Sequence, residues 1–150
     1  MMDWLALMLG LPEHFCFSSG KGGGVIQATA SESTLIAMLC ARCKVLKDNG
    51  FNHKVTDDQN NEAKYSIMSR MVAYTSSQAH SSVEKAALLS ATRIRMISTD
   101  TDLAMNASAL RTQIKTDKQN GFIPLIVICT LGTTNTCSFD NLHPIGEICI

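Results

Sequence analysis

The sequence predicts an α/β fold, a mostly parallel sheet flanked by helices, and three observations carry that expectation. Short apolar stretches of strand length alternate with longer segments of helical periodicity. The most apolar stretch, Pro124 to Thr130, is continuous rather than alternating, as in a strand buried on both faces of a parallel sheet. Turns rich in small and hydroxyl residues follow the strand segments, where α/β proteins place their ligands.

The elements follow in order. Trp4, Leu5, Leu7, Met8 and Leu9 form an apolar stripe on a helix over residues 1 to 10, and Leu11-Pro12 ends it. Gly20 to Gly24 is a glycine-rich connection, and Val25-Ile26-Gln27 reads as a short strand. Ser31 through Leu46 carries Leu35, Ile36, Leu39, Cys43 and Leu46 at helical spacing. Residues 48 to 66 are polar and read as a surface loop or frayed helix. Met71 to Thr75 is a strand. Ser81 to Leu89 is a helix opened by Ser81 and Glu84 at capping-box spacing. Arg93 to Ile97 is the next strand, and Asn106 to Gln119 a helix stopped by Asn120-Gly121.

At 150 residues the chain is long enough for one domain with a core. Thirteen basic residues balance thirteen acidic ones, which argues against electrostatic capture of nucleic acid or an anionic membrane. Apolar runs such as Ile123 to Cys129 are too short to span a bilayer, and no signal peptide is visible. The six scattered cysteines suit reduced thiols in a cytosolic protein rather than a disulfide framework. Cys40-Ala-Arg-Cys43 falls inside a helix, away from the helix N-terminus that a redox pair needs, and no second pair completes a metal site. The chain opens directly into a helix and stops inside the apolar-periodic segment Gly146 to Ile150, so a segment of a longer protein is expected.

Three strand-end turns are candidates for chemistry. In Gln27-Ala28-Thr29-Ala30-Ser31-Glu32, small residues before a helix N-terminus could admit a phosphate, although the spacing alone favours a plain N-cap at Thr29 or Ser31. Thr130-Leu131-Gly132-Thr133-Thr134 places a glycine among hydroxyls, a plausible anion cradle and also common loop composition. His80 lies in Ser76 to Ser82, where a ligand would sit, but a lone histidine is more often structural and no carboxylate partner is identifiable. His14, His53 and His143 read as surface or loop residues without metal-ligand spacing. Gly22-Gly23-Gly24 matches neither a dinucleotide fingerprint nor a P-loop.

Taken together, Gly22 to Glu32, Tyr74 to Ala86, and Thr130 to Thr134 with Ser138-Phe139-Asp140-Asn141 resemble the group II pyridoxal-phosphate decarboxylases. Met2 to Leu5 and Leu9 to Pro12 fit as well, and the resemblance covers nearly the whole chain apart from residues 48 to 66. Ala79-His80-Ser81-Ser82-Val83-Glu84 is similar to the branch containing aromatic-L-amino-acid, tyrosine and histidine decarboxylases rather than the glutamate branch.

The resemblance implies that residues 1–150 are part of the large domain of a fold-type I, aspartate aminotransferase-like enzyme that binds pyridoxal 5′-phosphate. It implies that Ala30 and Ser31 bind the cofactor phosphate and that Thr134 reaches the same cofactor. His80 would stack on the ring and assist the proton transfer that follows loss of carbon dioxide. It further implies an aromatic amino acid substrate, with histidine the alternative, and a cytoplasmic homodimer. The family's Asp-Ala-Ala segment and its Asn-Pro-His-Lys lysine do not occur here, so the chain alone is expected to be inactive. A truncated isoform or pseudoenzyme is the competing expectation. An aldehyde synthase is disfavoured, because those relatives typically carry Asn at the position of His80. No metal, nucleic acid or membrane partner is expected.

Overall fold

The computed structural model describes residues 1–51 and 61–150. They divide into two compact units, Met1–Ser33 and Thr34–Ile150.

The first unit opens with helix α1 (Met2–Met8), followed by two single 3₁₀ turns, Glu13–Phe15 and Phe17–Ser19. The Asp3 carboxylate joins them by accepting the backbone N–H groups of Phe17 (2.7 Å) and Ser18 (3.0 Å). Those two donors hold its carboxyl below the usual aspartate value. The glycine-rich run has a steric reason at Gly22, where a Cβ would overlap the backbone of His14 and Phe15. Val25 to Gln27 is not a strand. No strand pairs with it among the described residues, and Val25 and Ile26 stay exposed. Helix α2 (Ala30–Asp48) starts in this unit, one residue before the expected Ser31.

The second unit is a three-stranded parallel sheet in the order β2-β1-β3, with β1 Met71–Ser76, β2 Arg93–Ile97 and β3 Ile123–Ile128. Helices α3 (Asn61–Ser69), α4 (Ser81–Leu89), α5 (Ala107–Gln119) and α6 (Leu142–Cys149) complete it. Of the polar stretch read as a surface loop or frayed helix, the part from Asn61 is helix, in α3, while residues 52–60 lie outside the described residues.

The alternation of side chains along β1 sorts the core. Ala73 points into a cluster with Met38 of α2 and Val83, Ala86 and Ala87 of α4. Val72 and Tyr74 point the other way, into a cluster with Leu110 and Ile114 of α5 and Ile145 of α6. The sheet is thus covered on both faces. The fully buried strand is β1, not β3. β3 has a strand neighbour on one side only, which leaves every one of its residues half-buried. Pro124 is accommodated by a register shift between Val72 and Ala73, which pair with Pro124 and Ile126. A residue without an N–H is tolerated at such an irregularity.

Candidate functional site

From β1 the chain passes through α4 to β2 on one side, and from β2 through α5 to β3 on the other. The direction of strand addition therefore reverses between β1 and β3. Such a switch point opens a crevice beyond the carboxyl ends of the two strands. Two segments form its walls, the β1–α4 turn and the β3–α6 loop.

The turn is tied to the end of β2 by Ser77 N–H to the Ile97 carbonyl (2.9 Å) and closed locally by Ala79 N–H to the Ser76 carbonyl (3.0 Å) and Gln78 N–H to Ser76 Oγ (3.1 Å). It ends at His80, in extended backbone conformation, whose Nδ1 accepts the Ser82 N–H at 3.1 Å. His80, not Ser81, is therefore the N-cap of α4; the third helical residue is then Val83, so Ser81 and Glu84 do not form the expected capping box, and the imidazole supplies the acceptor instead. A backbone N–H can only donate, so Nδ1 is an acceptor and the proton of the neutral ring sits on Nε2. The Ser82 hydroxyl lies 2.8 Å from the same Nδ1.

The opposite wall is a folded-back loop. Gly132 and Thr133 both donate to the Ser138 carbonyl (3.0 and 3.1 Å), and Leu131 and Phe139 form an antiparallel bridge. Gly132 has φ +92°, and a Cβ there would press on the Phe139 ring. Thr133 Oγ1 lies 2.6 Å from Thr136 Oγ1 and 2.9 Å from Ser138 Oγ, which closes the loop internally. Thr134 is exposed at its tip and outside that hydroxyl network.

Between the walls lies a cleft of about 410 Å³ lined by Gln78, Ala79, His80, Ser81, Thr130, Gly132, Thr133, Thr134 and Asn135. The lining is amide, hydroxyl and imidazole. It contains no carboxylate, and the N-terminal end of α4, where the helix dipole favours negative charge, opens on it. No lysine is among the described residues that line it.

Of the residues expected at a site, the fold brings His80 and Thr134 to this one cleft. Ala30 and Ser31 belong to the other unit, in the first turn of α2. There Thr29 is the N-cap: its Oγ1 accepts the Glu32 N–H (3.1 Å), while Glu32 reaches back to the Ala28 N–H (3.1 Å). Among the described residues, His14 and His143 lie apart from the cleft lining. His14 stacks on Phe15, His143 faces Glu147 at 3.6 Å on α6, and His53 is outside the described residues. No cluster of His, Cys, Asp or Glu among the described residues could hold a metal ion.

Two buried carboxylates were given no role by the sequence, although Asp140 stands in a segment that carries the resemblance. Asp117 of α5, 1% exposed, accepts from Tyr74 Oη (3.1 Å), from Arg95 Nη2 (2.9 Å) and Nε (3.3 Å), and from Gln113 Nε2 (3.1 Å). Burial alone would raise its carboxyl, but these donors and the Arg95 charge outweigh burial and hold it below the usual value. Burial, reinforced by the Asp117 charge, pushes the Tyr74 hydroxyl far above the normal tyrosine range. The signal was the alternation of β2, which puts Arg93 and Arg95 on the face that meets α5. The second is Asp140, whose two oxygens accept the Met105 N–H and the Thr130 N–H, each at 2.7 Å.

All six cysteines are free, and Cys40 and Cys43 both sit within α2. Burial pushes the Cys129 thiol up to about 11, with the Asp140 carboxylate adding to it. No helix of the described residues is long and apolar enough to cross a membrane.

Comparison with known proteins identifies this arrangement. The pyridoxal-dependent decarboxylase conserved domain matches residues 1–150. The chain is 51% identical over 150 residues to the aromatic-L-amino-acid decarboxylase of Bos taurus, which covers 99% of this chain and 30% of that protein. It is 50% identical over 151 residues to the histidine decarboxylase of Mus musculus, covering 99% of this chain and 22% of that protein. Among solved structures it resembles the tryptophan decarboxylase of Catharanthus roseus in complex with L-tryptophan, with a TM-score of 0.78 and 36% identity over 98% of this chain and 29% of that one. The chain thus spans less than a third of the length of these relatives. A match over every residue, on a parallel sheet with its cleft at the strand ends, shows that the chain belongs to the pyridoxal-dependent decarboxylase family.

Proposed function

We propose that this chain supplies the ring-covering part of a pyridoxal 5′-phosphate site in an enzyme that removes the α-carboxylate of an aromatic L-amino acid as carbon dioxide, leaving an amine. The observation that carries the reading is the cleft at the β1/β3 switch point, with His80 on one wall and Thr134 on the other. The residues fit the group. An anionic, planar cofactor needs donors and a flat partner without a competing carboxylate, and that is the composition of the lining.

When bound, pyridoxal phosphate supplies the electron sink for loss of the carboxylate. His80 covers its ring, with Nδ1 engaged by Ser82 and the proton on Nε2 available to the reacting centre. Thr134 contributes a hydroxyl from the loop tip. Ala30 and Ser31 bind the phosphate at the head of α2, where the helix dipole favours an anion.

Histidine as substrate is the second reading, because the identities to the aromatic-L-amino-acid and histidine decarboxylases differ by one percentage point. Pairing with a second copy is supported by the exposed apolar side chains of α1, including Trp4 at 68% and Met8 at 83%. Six free thiols suit a reducing compartment such as the cytoplasm. The test is carbon dioxide release from L-DOPA and from L-histidine by the full-length holoprotein, not by residues 1–150 alone. Release from either, abolished by His80→Ala, is expected. A holoprotein that turns over neither, or that is indifferent to His80→Ala, overturns the proposal.

A further inference from the structure

We infer that Asp140 is a positioning residue for the cofactor cleft: it holds Thr130 and the loop to Thr134 in place by clamping two strand-end loops together. This rests on the cleft being the cofactor site.

The carboxylate is 5% exposed. Its Oδ1 accepts the Met105 N–H at 2.7 Å, and Met105 sits in the loop after β2, where it bridges to Thr99. Its Oδ2 accepts the Thr130 N–H at 2.7 Å, and Thr130 opens the loop after β3. The Asp140 N–H returns to the Thr130 carbonyl at 3.0 Å, so Thr130 is held at both its donor and its acceptor. The sheet order places β2 and β3 on opposite sides of β1, so these loops leave from strands that do not touch. One side chain therefore spans the end of β1 and fixes the β3 wall against the β2 side. Both contacts are charge-assisted and short, and the one to Met105 is fully buried while the one to Thr130 is part-buried, which makes the clamp stiff.

The chemistry of the clamp dictates its test. Only a carboxylate accepts at both atoms. Asn is nearly the same shape but must turn an NH₂ toward one of the two backbone donors. Asp140→Asn thus breaks one half of the clamp without removing side-chain volume.

The experiment measures cofactor dissociation by equilibrium fluorescence titration in the full holoprotein for wild type, Thr134→Ala, Asp140→Asn and the double variant, with the melting temperature of each apo form alongside. Thr134→Ala is expected to weaken retention, and Asp140→Asn to weaken it roughly tenfold, the scale of one lost charge-assisted hydrogen bond. The double variant is expected to be no weaker than Asp140→Asn alone, because a mispositioned Thr134 has nothing left to lose. A clamp that only stabilises the fold would lower the melting temperature and leave the two cofactor effects additive. That outcome, or wild-type retention in Asp140→Asn, overturns the inference. If Thr134→Ala leaves retention unchanged, the reading of the cleft itself fails, and this inference with it. If Asp140→Asn does not fold, Asp140→Glu is read in its place. It keeps both acceptors on a longer stem and is expected to weaken retention several-fold less than the Asn estimate, again without adding to Thr134→Ala; additivity or unchanged retention counts against the clamp.

Discussion

The Nδ1 of His80 accepts the backbone N–H of Ser82 at 3.1 Å, so the imidazole that faces the cleft also closes the first turn of α4. One ring nitrogen does structural work and the other is left for a ligand. The two roles separate by substitution. Asn is a strong N-cap with an acceptor oxygen, whereas Ala has none. His80→Ala is expected to destabilise by about 1 kcal/mol and His80→Asn by only a few tenths. Both should lose cofactor stacking. Urea denaturation midpoints check the first statement, and equal losses for the two variants would count against the cap.

Asp117 should make stability sensitive to acid. Its folded carboxyl lies below the ordinary value of 3.8, so the ionised form contributes fully at pH above 3.8, and the contribution disappears as pH falls through the lower folded value. Asp117→Asn removes that dependence. At neutral pH it is expected to cost roughly 1–3 kcal/mol, kept modest because the Arg95 side chain is 38% exposed and can rehydrate. Denaturant titrations at pH 7 and pH 3 give both values. A variant whose stability falls with acid as steeply as wild type contradicts the assignment.

Leu110 of α5 is fully buried against Val72 and Tyr74. Leu110→Ala is expected to cost about 2–5 kcal/mol, the loss of transfer energy plus an unfilled cavity. The midpoint of chemical unfolding reads it directly.

The 150-residue chain, supplied with pyridoxal phosphate and L-DOPA or L-histidine, is expected to release no carbon dioxide. No lysine lines the cleft among the described residues, and His80 cannot hold the cofactor covalently in its place. Radiolabelled substrate measures this, and release above a cofactor-only blank contradicts it.

Much of the fold was legible because β1, α4, β2 and α5 each carry one clear periodicity. Ser81 to Leu89 and Arg93 to Ile97 match the structure residue for residue. Val25 to Gln27 misled because strand composition says nothing about whether a neighbour is present to pair with. The continuous apolar run of β3 misled for a related reason: hydrophobicity reports that a strand is to be covered, not where it lies in the sheet order. His80 and Thr134 were legible as strand-end residues. The burial of Asp117 and Asp140 was not, since apart from Gln113 on the same helix the donors to Asp117 come from segments 22 and 43 residues away, and those to Asp140 from 10 and 35.

The most direct test of the account is a crystal structure of the holoprotein at saturating pyridoxal phosphate. The account predicts the cofactor ring in the cleft between the β1–α4 turn and the β3–α6 loop, within about 4 Å of the His80 imidazole. Cofactor density elsewhere, with His80 serving only as the cap of α4, would contradict it.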